Sequence, residues 1–94
     1  MRVGLLTLRL RLPAVASIKE KRSIVKRVIA AVERRGPAIA VAEADDLNTR
    51  DRTTIRIAHL STDPRHTESV LMSLCCALEL EKDCTVERSE MEIL

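Results

Sequence analysis

From Val3 to Leu12 the polypeptide alternates without a break. Gly4, Leu6, Leu8, Leu10 and Leu12 fall on one side, with Val3, Leu5, Thr7, Arg9 and Arg11 on the other. A sustained period of two marks a strand with one buried face. A row of leucines on that face needs a cover, so whatever follows must include elements that pack flat against a sheet. Pro13 ends the strand.

Ser17 to Arg35 reads as the first cover, a single amphipathic helix. Ser17 and Glu20 have the spacing of a capping box, in which each side chain satisfies a backbone N–H left unpaired by the first turn. At 100° per residue, Ile18, Val25, Val28, Ile29 and Val32 gather on one side. Lys19, Arg22, Lys26, Arg27 and Arg34 gather on the other. Lys21 falls near the apolar sector and is expected to snorkel, laying its stem on the core with its ammonium in water. No base of this helix has an acid three or four positions away. Arg22 instead lies between Lys19 and Lys26, and like charges at that spacing cost a few tenths of a kcal/mol each. Such a face calls for acids elsewhere in the fold, with Glu68, Glu79, Glu90 and Glu92 as candidates, or for a polyanionic partner.

Gly36-Pro37 breaks the helix. Ile39 and Val41 then alternate with Ala38, Ala40, Ala42 and Ala44 as a second strand. Residues 45–51 are polar and turn-like, too long for a two-residue hairpin, and their tip is expected to be mobile. Arg52 to Ser61 is a third strand, with Ile55 and Ile57 on one face and Arg56, Ala58 and Leu60 on the other. Asp63 as N-cap and Pro64 at the first helical position start a second helix, expected to run to about Lys82. Its core stripe is Val70, Leu71, Leu74, Cys75, Ala77 and Leu78. Met72, Cys76 and Leu80 recur at i, i+4 and i+8 on the opposite side, an apolar row that makes a candidate contact surface. Thr85 to Leu94 closes the chain as a weak fourth strand supported by Met91 and Ile93.

The order β-α-β-β-α-β predicts one ferredoxin-like α+β domain over residues 1–94. Right-handed crossovers put both helices on one face of a four-stranded sheet of order 4-1-3-2. The other face is open unless a partner covers it.

Composition narrows the function classes. Aromatic residues are absent, which removes the stacking platforms used by most sequence-reading RNA modules. Residues 1–36 hold 10 Lys and Arg against 2 Glu, a net +8, whereas residues 37–94 carry a net −6. That asymmetry points to internal pairing or to a directional partner surface. Three cysteines form no even disulfide framework, and apolar runs are of strand length only, so a cytoplasmic protein without a membrane span is expected. His59, His66, Cys75, Cys76 and Cys84 lack zinc-site spacing, and Gly4 and Gly36 are the only glycines, too few for a phosphate loop. No cofactor, no metal and no catalytic constellation is expected, and an enzyme is disfavoured.

Several segments carry a family resemblance: Arg11-Leu12-Pro13, Ser17 to Arg22 with Val25-Lys26, Val41-Ala42-Glu43, Ser61-Thr62-Asp63 with Arg65-His66, and Glu92-Ile93-Leu94. Together they resemble the bacterial YlxP-like family, a domain of unknown function, over essentially the whole chain. The resemblance implies a ferredoxin-like fold. It also implies a gene neighbourhood of translation and transcription factors, often beside ribosome-binding factor A. This chain departs from the family pattern at Asn48-Thr49-Arg50, where relatives often hold an aromatic residue, and at Met72, Cys76 and Leu80, which are usually polar.

These readings lead to an expected RNA- or ribosome-associated accessory protein, with Lys19, Arg22, Lys26, Arg27 and Arg34 as phosphate contacts. Arg9, Arg11 and Arg56, on strand faces opposite the helices, add a further basic area. The alternative is a protein-interaction or homodimerisation module that uses Met72, Cys76 and Leu80 and has no nucleic-acid role.

Overall fold

A computed structural model describes residues 1–13 and 15–94. The elements run β1 (Arg2–Arg11), α1 (Ile18–Glu33), β2 (Ile39–Asp45), β3 (Arg52–Ser61), α2 (Pro64–Glu79) and β4 (Thr85–Ile93). The sheet order is β2-β3-β1-β4, and every pairing is antiparallel. This is the expected order, with β1 and β3 in the centre.

Alternation in β1 resolves as expected. Leu6, Leu8, Leu10 and Leu12 are buried and meet Ile55 and Ile57 of β3, Val25, Val28 and Val32 of α1, and Leu71, Leu74 and Leu78 of α2. Both helices therefore cover the same side of the sheet. Gly4 lets α2 approach β1. A Cβ at this position would lie 2.2 Å from Thr67 Cγ2 and 2.8 Å from Leu71 Cδ1, far inside contact distance.

Helix ends follow local chemistry. Ser17 Oγ accepts from Glu20 N at 3.1 Å, and Glu20 reaches back to Ala16 N rather than to Ser17 N. Asp63 Oδ1 accepts from Arg65 N at 3.0 Å, with Pro64 in the first turn. α2 stops at Glu79, short of Lys82, because Leu80 N and Glu81 N turn back to the carbonyls of Ala77 and Leu78. Such three-residue bonds tighten and close a last turn.

Lys21 corrects the sequence reading. It does not snorkel but is fully buried, with 0% of its surface exposed. Its Nζ lies 3.2 Å from Glu43 Oε2 and donates to the carbonyls of Leu47, at 3.3 Å, and Asp46. Glu43 also accepts from Thr53 Oγ1 at 2.6 Å. Asp46 takes a positive φ of 60°, which a short acidic side chain tolerates, and its Oδ2 accepts from Thr54 Oγ1 at 2.8 Å. Residues 45–51 are thus tied at their base to α1 and β3.

Candidate nucleic-acid interface

The apolar stripe of α1 fixes where its bases point. With Val25, Val28 and Val32 against the sheet, Lys19, Arg22, Lys26, Arg27 and Arg34 all emerge exposed on the outer side. Arg27 pairs with Asp83, in the loop between α2 and β4. Lys19, Arg22, Lys26 and Arg34 have no carboxylate within 4 Å among the described residues. None of the acids nominated from sequence reaches this helix: Glu68, Glu79 and Glu92 form no ion pair among the described residues, and Glu90 pairs with Arg88 at 2.7 Å. The acids that do meet α1 are Glu43 and Asp83. Both come from positions far along the chain, and no local spacing marked them.

Arg9, Arg11 and Arg56 are exposed, but they do not extend the helical patch. They belong to the sheet face away from the helices. There Thr7, Arg9, Asp45, Thr54, Arg56 and Arg88, with Glu90, line a shallow cavity of about 190 Å³. Carboxylates interleave with the arginines, so this face is a mixture of charges and not a cationic track. Arg52, on the same face, pairs with Glu87 at 3.1 Å.

The outer row of α2 emerges as the spacing predicted. Met72 is 54% exposed and Leu80 85%, with Cys76 exposed between them. Cys75, Cys84 and His59 are buried, whereas His66 is exposed. Burial, then the neighbouring Glu79, pushes the Cys75 thiol up, and burial with Glu81 and Asp83 does the same for Cys84. Both therefore stay protonated and poorly nucleophilic. His59 Nδ1 pairs with Thr67 Oγ1 at 3.0 Å, and its ring stands edge-on to His66 with centroids 5.5 Å apart. Burial, with a smaller contribution from His66, holds the His59 imidazole below its ordinary value of 6.5. Among the described residues no three His, Cys, Asp or Glu side chains gather as a metal site, and no helix is long and apolar enough to cross a membrane.

Fold and charge together define a ferredoxin-like α+β protein carrying a helix with four outer bases that have no carboxylate in reach among the described residues. The chain belongs to the DUF503 family, proteins of unknown function, whose family model matches residues 3–91. No curated protein matches it in sequence. Among solved structures it is similar to the de novo designed protein Foldit4, with a TM-score of 0.55 and 19% identity over 98% of this chain and 96% of that one. SnoaB, a cofactor-independent oxygenase from Streptomyces nogalater, gives a TM-score of 0.49 at 15% identity, covering 99% of this chain and 90% of that one. An amidase of the hydantoinase/carbamoylase family from Burkholderia phymatum gives 0.49 at 10% identity, over 99% of this chain but 28% of its own. The first likeness is one of fold alone, and the other two are too distant to bear on function.

Proposed function

We propose that this protein is a non-enzymatic accessory factor that binds structured RNA through the outer face of α1, with Lys19, Arg22, Lys26 and Arg34 on phosphates and Arg27 at their edge. One observation carries this reading. Four exposed bases on one helix face have no carboxylate within reach among the described residues, although the domain holds 14 acidic residues. A phosphate backbone relieves their mutual repulsion and releases its own condensed counterions. Without aromatic platforms, such a face reads charge and shape and not base sequence. The resemblance to YlxP-like proteins, with genes beside ribosome-binding factor A, suggests the ribosome or its maturing RNA as the source and the cytoplasm as the place.

Titrating a structured RNA across a salt series tests the reading. Four phosphate contacts give a log–log slope of roughly −3. Arg22→Glu with Lys26→Glu is expected to weaken binding to unrelated RNA sequences alike, since phosphate contacts position without specifying. Unchanged affinity in that double variant rejects the proposal.

The second reading, a protein-interaction module with no nucleic-acid role, rests on the exposed row Met72, Cys76 and Leu80. It is the one left standing if charge reversal on α1 leaves RNA binding untouched.

A further inference from the structure

The sheet face away from the helices is uncovered, and its residues form a grid fixed by strand register. One row is Ala40, Ala58, Leu5 and Glu92, read from β2 through β3 and β1 to β4. The next is Ala42, Arg56, Thr7 and Glu90, the next Asp45, Thr54, Arg9 and Arg88, and the last Arg52, Arg11 and Thr85, with Arg52 paired to Glu87. Val3 pairs with Leu60 at the other end, where they are 36% and 46% exposed. The face is therefore apolar and small at one end and charged at the other.

From this grid we infer that the open face binds a second copy of this chain, the two sheets stacked about a two-fold axis parallel to the strands. That axis exchanges the places of β1 and β3, and of β2 and β4. Each row then meets itself reversed. Leu5 lies over Ala58 of the other copy, and Val3 over Leu60, a large side chain over a small one and an apolar pair at the rim. Asp45 lies over Arg88. Glu90 lies over Ala42, which leaves room for it to reach Arg56 in the neighbouring column. Arg9 lies over Thr54, beside Asp45, and Arg11 lies over Arg52, whose charge Glu87 already meets within its own copy. Within one copy Arg9, Arg56, Asp45 and Glu92 have no ion-pair partner among the described residues. The axis gives each of these cations a carboxylate neighbour.

A two-fold axis across the strands fails the same comparison, because it sets the Val3–Leu60 end on the arginines. A nucleic acid also fits poorly, since Asp45, Glu90 and Glu92 interrupt any path for phosphates. Four strands about 4.8 Å apart and about eight residues long give a face of roughly 19 by 26 Å. Two such faces cover about 1,000 Å² before side-chain relief is added, at the threshold for a specific interface. Aligned sheets pack about 10 Å apart with a small twist, a distance these side chains span. The inference is independent of the RNA reading, because α1 lies on the far side of the sheet.

Sedimentation of the intact chain tests it. Wild type is expected at twice its 10.5 kDa mass. Arg56→Glu alone opposes two carboxylates across the axis, and Glu90→Arg alone opposes two guanidinium groups. Each is expected to sediment as a folded monomer, with its circular dichroism unchanged. An equimolar mixture of the two restores both pairs and is expected to return to the dimer mass. A monomeric wild type overturns the inference, as does either variant remaining dimeric or a mixture that fails to associate. So does loss of the dimer in Met72→Glu with Leu80→Lys while Arg56→Glu keeps it, which assigns the contact to α2. If Arg56→Glu lowers RNA affinity at unchanged mass, the face binds nucleic acid and the inference is again overturned.

Discussion

Lys21 is the residue whose environment differs most from its type. An ammonium with no exposed surface is stable because Glu43 and the carbonyls of Asp46 and Leu47 replace the water it lost. Removing one partner of a buried pair costs about 3–5 kcal/mol. Glu43 keeps 17% of its side-chain surface in water and keeps the Thr53 hydroxyl, so the lower end applies. Lys21→Met is expected to lower unfolding stability by about 3 kcal/mol, read by urea denaturation. Adding Glu43→Leu is expected to recover part of that loss, because the stranded carboxylate is then gone. His59 sets a second expectation. Its folded pKa lies below the unfolded 6.5, so the unfolded chain takes up the proton first. Stability is full above pH 6.5 and falls as pH drops through the folded pKa. The melting temperature is therefore expected to decline as pH is lowered below 6.5, and His59→Gln is expected to flatten that decline.

At the scale of elements, α1 does two opposed things with its charges. The inward Lys21 is neutralised by β2, whereas the outer face is left cationic. The competing account of that face holds that its bases are structural. Under it, Arg22→Glu with Lys26→Glu destabilises the domain. The geometry instead predicts a melting temperature that is level or slightly raised, since Lys19 and Arg22 cease to repel. On α2 and its C-cap, the row Met72, Cys76 and Leu80 is exposed and lies outside the core cluster. Met72→Glu with Leu80→Lys is expected to leave the fold and the wild-type sedimentation mass unchanged, while removing any partner bound through this helix. Cys76 is the only exposed thiol of the three and serves as a reporter. Alkylation confined to Cys76 in the native protein, and slowed by a bound partner, locates that contact.

For the whole molecule, the charge asymmetry along the chain turns into an arrangement of faces. The +8 of the first 36 residues is only partly met by the −6 of the rest. Glu43 and Asp83 reach α1, while Glu87 and Glu90 stay on the sheet with Arg52 and Arg88. One side of the domain is thus basic helix, and the other is a mixed sheet. In the proposed dimer the sheets meet and the two α1 faces point outward in opposite directions. Reversing charge on α1 should then alter RNA affinity without altering mass. Reversing the charge of Arg56 alone, or of Glu90 alone, should alter mass first.

Much of this was legible along the chain because it depends on neighbours in sequence. The period-two row from Gly4 to Leu12, the Ser17 and Asp63 caps, the breaker at Gly36-Pro37 and the outer row of α2 are local patterns. With a right-handed crossover rule they determine element order, sheet order and, Lys21 excepted, which helical residues face water. The partner of a charge is a different matter. Lys21 finds Glu43 and Arg27 finds Asp83 across separations of 22 and 56 residues, and no spacing rule reaches that far. Placing Arg9 and Arg56 beside Asp45 and Glu90 likewise required strand register, including the irregularities at Arg9/Leu10 in β1 and Glu43/Asp45 in β2. Local periodicity decides which side of an element is apolar, because burial acts on each side chain separately. Only tertiary structure decides which charges meet, because a Coulomb pair exists only where two distant segments are brought within a few ångströms.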